Sequence, residues 1–217
     1  MRPSQQRSGI TLLHLLVVLF VLSVLGSFLV VNVVSDRRRE AELRAEAALK
    51  QLVSIEGVWR NTDSDRNGAQ EYWTADVAGF YAVTDANGAP LRYIDGKIAG
   101  ADVAPAMKYP RLPVYDRSTG YHVRAMITDE DGAPYVERGY APAAAAPVTG
   151  LYCMNCIKFA FCAWLDGSWG RADTAFIVNE EGVVYRADMD GPAPVTIWPG
   201  ASDWPATPLS PPWKPTD

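Results

Sequence analysis

Histidine and cysteine, two residue types that often carry catalysis, are scarce in this chain. Of its 217 residues, two are histidines and three are cysteines. The sequence has no G-x-S-x-G, H-E-x-x-H or Walker-type motif, so nothing marks a serine hydrolase, a zinc peptidase or a P-loop protein. His14 lies in an apolar run, and His122 lies in a predicted strand, where a packed or surface histidine is typical. We therefore expect that the protein is not an enzyme.

Clustered positive charge is also scarce. The formal net charge is −5 at pH 7. Apart from Arg37, Arg38 and Arg39, no basic patch is interleaved with aromatic residues, so we do not expect nucleic acid as a partner.

One long apolar segment runs from Ile10 to Val34, with His14 as its single ionisable side chain. A helix needs about 20 apolar residues to cross a bilayer, whereas a signal peptide has a core of roughly 7–15 before a small-residue cleavage site. This segment is longer, and a charged stretch rather than an A-x-A-like site follows it. The sequence therefore predicts a retained, single-pass transmembrane helix.

A short basic leader, residues 1–9, precedes this segment and ends at Gly9. The residues that follow read Ile10-Thr11-Leu12-Leu13-His14-Leu15-Leu16-Val17-Val18. This region resembles the prepilin cleavage and methylation segment of type IV pilins and type II secretion pseudopilins. The resemblance implies that prepilin peptidase cuts after Gly9 on the cytoplasmic side and that Ile10 becomes the methylated N-terminus.

The resemblance covers about residues 1–60 and implies a structural role. The chain would be a minor pilin or pseudopilin in a type II secretion or type IV pilus-type filament, with other pilin or pseudopilin subunits as partners. It would sit in the inner membrane with its C-terminal domain periplasmic or extracellular. Counting Lys and Arg alone favours the opposite orientation, since Arg37 to Arg39 follow the helix. The alternative is an anchored envelope binding protein that does not polymerise.

His14 stands where this family usually has a glutamate, which is thought to attract the N-terminal amine of a neighbouring subunit. A neutral histidine can accept a hydrogen bond from an amine, whereas a charged histidine repels it. By analogy, the missing glutamate suits a minor subunit, especially one at a filament tip. The other interpretation is that His14 lies near the cytoplasmic interface with its ring toward water.

An amphipathic helix is predicted after the apolar segment. Apolar residues recur at spacings of four and three, which is typical of one helix face. They are Ala41, Ala45, Ala48, Leu52, Ile55 and Trp59. Glu46 and Lys50 are placed for an i,i+4 ion pair. We predict one helix over residues 10–60, transmembrane in its first half and amphipathic in its second.

Residues 61–190 are predicted to form one α+β domain. Four segments read as strands between turn residues: 121–127, 158–164, 174–178 and 183–186, the last two joined as a hairpin by residues 179–182. A sheet and a helix each need a partner to bury their apolar face. The expected fold is therefore a long N-terminal helix packed on an antiparallel sheet, pilin-like. Residues 191–217 form a Pro-rich tail, whose Trp198, Trp204 and Trp213 suggest docking onto the sheet or a partner.

Three blocks of this domain carry a second resemblance. Residues 71–81, 159–163 and 174–185 are similar to blocks in bacterial pilin-like proteins of unassigned function. This similarity supports the fold and implies no catalytic residue.

A candidate calcium site follows the helix. Asp63, Asp65 and Asn67 place oxygen atoms at alternate positions before Gly68, as in a calcium-binding loop. The twelfth position is Thr74 rather than glutamate, so Glu71 could contribute only in a different geometry. Calcium-stabilised members exist among pseudopilins, but Asp, Asn and Gly also dominate ordinary turns. The sequence points to no cofactor other than this calcium ion.

The three cysteines are candidates for a disulfide. Cys153 and Cys156 form a C-x-x-C pair, and Cys162 follows. No second pair and no nearby histidine complete a zinc site, and a periplasmic location would be oxidising. A structural disulfide between Cys153 and Cys156, or between one of them and Cys162, is expected rather than redox catalysis.

Overall fold

A computed structural model describes residues 12–64, 70–84, 88–106, 108–136, 155–168, 173–189, 191, 193–200 and 213–216. The chain divides into two compact units, Met1–Arg37 and Arg38–Asp217. Three helices are described: α1 (Leu12–Thr62), α2 (Gly79–Ala82) and α3 (Gly96–Gly100). Five strands are described: β1 (Tyr121–Ala125), β2 (Ala160–Leu165), β3 (Thr174–Asn179), β4 (Tyr185–Asp188) and β5 (Lys214–Pro215).

Helix α1 is a single helix of 51 residues. It contains no proline, so no backbone donor is missing from its hydrogen-bond ladder. The helix ends two residues beyond the predicted Arg60, and Asp63 follows it in the left-handed region with φ of 45°. Among the described residues, no helix combines the length and the apolar character needed to cross a bilayer.

The second half of α1 has the predicted amphipathic pattern. All six residues of the predicted stripe are buried, and Leu49 joins them. Glu46 and Lys50 form the expected ion pair, with 2.8 Å between Lys50 Nζ and Glu46 Oε1. This stripe shares one hydrophobic core with the sheet residues Val123, Phe161, Phe176 and Val178.

The five strands form one antiparallel sheet in the order β1-β2-β3-β4-β5. The expected α+β class is therefore confirmed. Every residue of β2 and β3 is buried, because both faces of the sheet are covered. Odd-numbered β2 residues such as Phe161 face the core with α1, whereas Cys162 and Trp164 belong to a second core on the other face.

The second core is covered by the end of the chain. Trp198 and Trp213 are buried against this face, together with Met126 and Tyr135. The region predicted as an extended tail therefore contributes both a docked segment and the edge strand β5. Trp204 lies outside the described residues.

The predicted turn between β3 and β4 is present. The backbone N–H of Gly182 donates to the carbonyl of Asn179 at 3.0 Å. Gly182 has φ of +78°, a conformation that glycine adopts without a steric penalty. The turn places Glu180 and Glu181 at one end of the sheet.

Candidate functional sites

The described helix surface from Leu12 to Leu25 is apolar on all sides. Every side chain from Leu12 to Leu25 is exposed, with an exposed fraction of 82% at Leu12 and 66% at Phe20. These residues make about four helical turns, and only His14 and Ser23 among them are polar. A helix that is apolar on all sides normally lies in lipid or among other apolar elements. His14 is exposed on this surface, and the processing residues Gly9 and Ile10 lie outside the described residues.

The candidate calcium residues are only partly described. Asp63 directly follows α1, whereas Asp65 and Asn67 lie outside the described residues. Glu71 is buried, with 1% of its surface exposed. Within the described ranges, no group of three or more metal-binding side chains comes together. Calcium binding stays a prediction from the sequence.

Two of the three candidate disulfide cysteines are described. Cys156 is exposed and Cys162 is buried, and both thiols are free. Cys162 lies in the middle of β2 opposite Ile177, and burial raises the pKa of its thiol to about 12. A thiol with a raised pKa is a poor nucleophile, so Cys162 acts as a packed core residue. Cys153 lies outside the described residues.

His122 packs between aromatic rings. Its ring centroid lies 4.5 Å from that of Tyr115 and 5.6 Å from that of Trp164. Burial lowers the pKa of the imidazole, and the nearby Asp166 opposes this effect. This environment is that of a packed histidine, one of the two outcomes that are typical of a histidine in a strand.

The sequence did not reveal three further buried acids, of which one lies on α1 and two lie in the connection between α1 and β1. Glu56, Asp76 and Asp102 are at most 8% exposed. The backbone N–H of Trp73 donates to Glu56 at 2.9 Å, and the backbone N–H groups of Val77 and Ala78 both donate to Asp102 at 2.8 Å. Each carboxyl thereby holds a distant part of the connection between α1 and β1 in place.

Of these three acids, Asp76 accepts hydrogen bonds from the largest number of groups in the connection between α1 and β1. One carboxylate oxygen accepts from the backbone N–H of Gly79 at 2.8 Å and from the indole of Trp73 at 3.2 Å. The other accepts from the hydroxyl of Tyr109 and the backbone N–H of Ala106, both at 2.6 Å. Asp76 lies before α2, which starts at Gly79, and accepts from the backbone N–H of the first residue of this helix.

Glu56, Asp76 and Asp102 each bind their proton more tightly than usual. Burial raises the pKa of Glu56 well above its ordinary value, and burial also raises the pKa of Asp76. Burial and then the charge of Asp76 raise the pKa of Asp102 to about 6. Perturbed carboxyls are frequent at catalytic sites, but these accept backbone and side-chain hydrogen bonds that order the loop.

An ion network connects α1 to the sheet within the second unit. Glu42 accepts from Arg38 at 3.1 Å and from Arg186 of β4 at 2.9 Å. Arg38 also pairs with Asp173, the residue directly before β3. Beside this network lies an open groove of about 460 Å³, whose walls carry both signs of charge. Ion pairs of this exposure are worth little individually, so the network fixes side-chain positions more than it adds stability.

Comparisons with known proteins assign no family to this chain. No family model matches it, and neither the curated proteins nor the solved structures contain a significant match.

Proposed function

We propose that the chain is a membrane-inserted, pilin-like structural subunit, a minor pilin or pseudopilin that prepilin peptidase processes. The observation that carries the proposal is the helix surface from Leu12 to Leu25, which is apolar on all sides and exposed. In water this surface would be strongly unfavourable, since each buried methylene is worth about 0.8 kcal/mol. Lipid before assembly, and neighbouring helices after it, would cover this surface.

The second unit supports the same proposal. The stripe from Ala41 to Trp59 is buried in one core with an antiparallel sheet, which is the packing expected of the family. Helix α1 is continuous through Thr62, so one helix supplies both the assembly element and part of the domain core. The proposal assigns no catalytic step to the chain.

N-terminal processing tests the proposal directly. The full-length chain would be extracted from membranes that contain prepilin peptidase and from membranes that lack it. Its intact mass and its N-terminal peptide would then be determined. We expect a new, methylated N-terminus at Ile10 only when the peptidase is present. The variant Gly9→Val should block cleavage, whereas Gly26→Val, the same change within the apolar segment, should not. An intact leader in the presence of the peptidase would contradict the proposal and favour the anchored binding protein.

The role of His14 is tested by assembly. Incorporation of the His14→Glu variant into filaments would be compared with that of the unmodified chain, with His14→Gln as the uncharged control. A change specific to glutamate would support a subunit whose position depends on the missing carboxylate, such as a filament tip. Equal incorporation of all three chains would support the interfacial interpretation.

A further inference from the structure

A short segment of the connection between α1 and β1 covers the outer edge of β1. Strand β1 is the first strand of the sheet, so only one of its edges pairs with another described strand. Residues 102–106 form a strap that begins at the other edge. Asp102 makes a parallel bridge with Val123, and the backbone N–H of Val103 donates to the carbonyl of Val123 at 3.2 Å. An uncovered strand edge can pair with another chain, so the strap covers a place where such pairing could start.

The strap buries little apolar surface. Val103 is 46% exposed, Ala106 is exposed, and Ala104 and Pro105 are only partly buried. Strands β2 and β3, in contrast, are buried throughout. Segments with few buried apolar contacts open at a lower free energy than the core of a domain. The closed position of the strap therefore depends mainly on its polar contacts.

Two carboxyls supply these polar contacts. Asp102, at the start of the strap, accepts from the backbone N–H groups of Val77 and Ala78, both at 2.8 Å. Asp76, which lies outside the strap, accepts from the backbone N–H of Ala106 at 2.6 Å. The two carboxyls thus connect both ends of the strap to the residues that precede α2.

The surroundings of the two carboxyls oppose their ionisation. Neither Asp76 nor Asp102 has an ion pair among the described residues, and the charge of Asp76 acts on Asp102. The other titratable groups around them come from α1, the connection, β1 and β2, and they are Glu56, Tyr109, Arg124 and Cys162. Arg124, the one cation of this group, donates to the carbonyl of Ala125. Burial raises the pKa of both carboxyls, that of Asp102 to about 6, so the closed strap favours their protonated forms.

We propose that the strap is a pH-dependent cover of the β1 edge, closed in acid and opening locally as the pH rises toward 7 and Asp76 and Asp102 ionise. Opening releases the carbonyl of Val123 and the N–H groups of Val77 and Ala78 to solvent or to an extended segment of a partner. The open strap lets both carboxyls ionise at their ordinary pH, whereas the closed strap retains their protons to a higher pH. This inference is independent of filament assembly and applies equally to an anchored binding protein.

Amide hydrogen exchange of the full-length chain in dodecyl maltoside, a detergent without charge, tests this opening. Exchange would be followed by mass spectrometry from about pH 4 to about pH 7 and corrected for the intrinsic exchange rate at each pH. The opening constants of the amides of Val77, Ala78 and Val103 should rise by at least roughly fiftyfold over this range, which is the increase expected from Asp102 alone. These amides should also open at a lower free energy than those of β2 and β3, and urea should accelerate them less, because local opening exposes little surface.

Two results in the unmodified chain would overturn the proposal. Equal opening constants and equal urea dependence in the strap and in β2 and β3 would show that the strap opens only when the whole second unit unfolds. Local opening that is the same at every pH would show that the carboxyls do not control the strap. Both results are measured without any substitution.

The variant Asp102→Asn identifies the carboxyl responsible. An amide cannot ionise, so the rise in strap opening between pH 4 and pH 7 should shrink roughly fiftyfold. Asp188→Asn is the matched control, since the side chain of Asp188 is 77% exposed, and it should leave the pH dependence of strap opening unchanged. An unchanged pH dependence in Asp102→Asn, or an equal loss in both variants, would also overturn the proposal.

Discussion

The buried carboxyl of Asp102 should make the second unit less stable as the pH rises from about 4 to about 7. The side chain accepts hydrogen bonds from the backbone N–H groups of Val77, Ala78 and Ala104. Burial, followed by the charge of Asp76, raises the pKa of Asp102 from 3.8 to about 6. Folding therefore makes ionisation of this carboxyl more costly.

The sign follows from which state binds the proton more tightly. Because the pKa is raised in the folded state, the folded chain retains a proton over a pH range in which the unfolded chain has lost it. The loss of unfolding free energy that ionisation of Asp102 causes is absent below pH 3.8, grows as the pH rises, and is complete above about pH 6. The difference between the two pKa values corresponds to roughly 3 kcal/mol of unfolding free energy.

Urea unfolding of the full-length chain in dodecyl maltoside measures this effect. All seven tryptophans follow Arg38 in the sequence, so tryptophan fluorescence reports on the second unit alone. The unfolding free energy would be determined from about pH 4 to about pH 7. Glu56 and Asp76 also have raised pKa values. The total decrease in unfolding free energy of the unmodified chain over this pH range should therefore exceed the contribution of Asp102.

The variant Asp102→Asn isolates the contribution of this carboxyl. An amide cannot ionise, so the pH-dependent loss between pH 4 and pH 7 should shrink by roughly 3 kcal/mol. Absolute stability should also fall at low pH, because the amide nitrogen cannot accept a backbone hydrogen bond. Asp188→Asn is the control, since the side chain of Asp188 is 77% exposed. An unchanged pH dependence in Asp102→Asn would refute the reasoning.

Two pairs of matched substitutions test the packing of the second unit, each by urea unfolding. Gly57→Ala should stabilise the chain by about 0.5–1 kcal/mol, because a Cβ there meets no atom within 4 Å and alanine favours the helix. Gly79→Ala should destabilise the chain by about 1–3 kcal/mol, because the added Cβ would clash with the ring of Trp73. A change in unfolding free energy of the same sign in both glycine variants would contradict this prediction. Ala45→Leu should cost about 1–3 kcal/mol in the closed core, whereas Ala47→Leu on the exposed face should change stability by less than about 0.5 kcal/mol. A similar cost for both alanines would show that the stripe does not form the core.

The helix and the sheet were predictable because their signals are local and periodic. The spacing from Ala41 to Trp59 repeats along one helix face, and every one of these side chains is buried. The four predicted strand segments overlap β1 to β4, with boundaries shifted by one or two residues. Strand β5 could not be predicted, since two residues of a Pro-rich tail carry no periodicity and pair with β4 only in the folded chain.

The buried acids were not predictable from the sequence, because their hydrogen-bond partners lie far along the chain. Glu56 and Trp73 are 17 residues apart, and Asp76 and Tyr109 are 33 apart. An acidic residue in a loop usually lies at the surface, and no local pattern distinguishes these residues from solvated ones.

These acids explain how a long connection with little regular structure acquires a defined shape. Between α1 and β1 only α2 and α3 are described, and both are short. Glu56 lies on α1 and accepts from Trp73 in the connection, whereas Asp102 joins two parts of the connection to each other. Carboxyls thus provide the acceptors that a strand ladder would otherwise supply. Because their pKa values are raised, the same bonds make the order of this connection dependent on pH, which a purely apolar packing would not do.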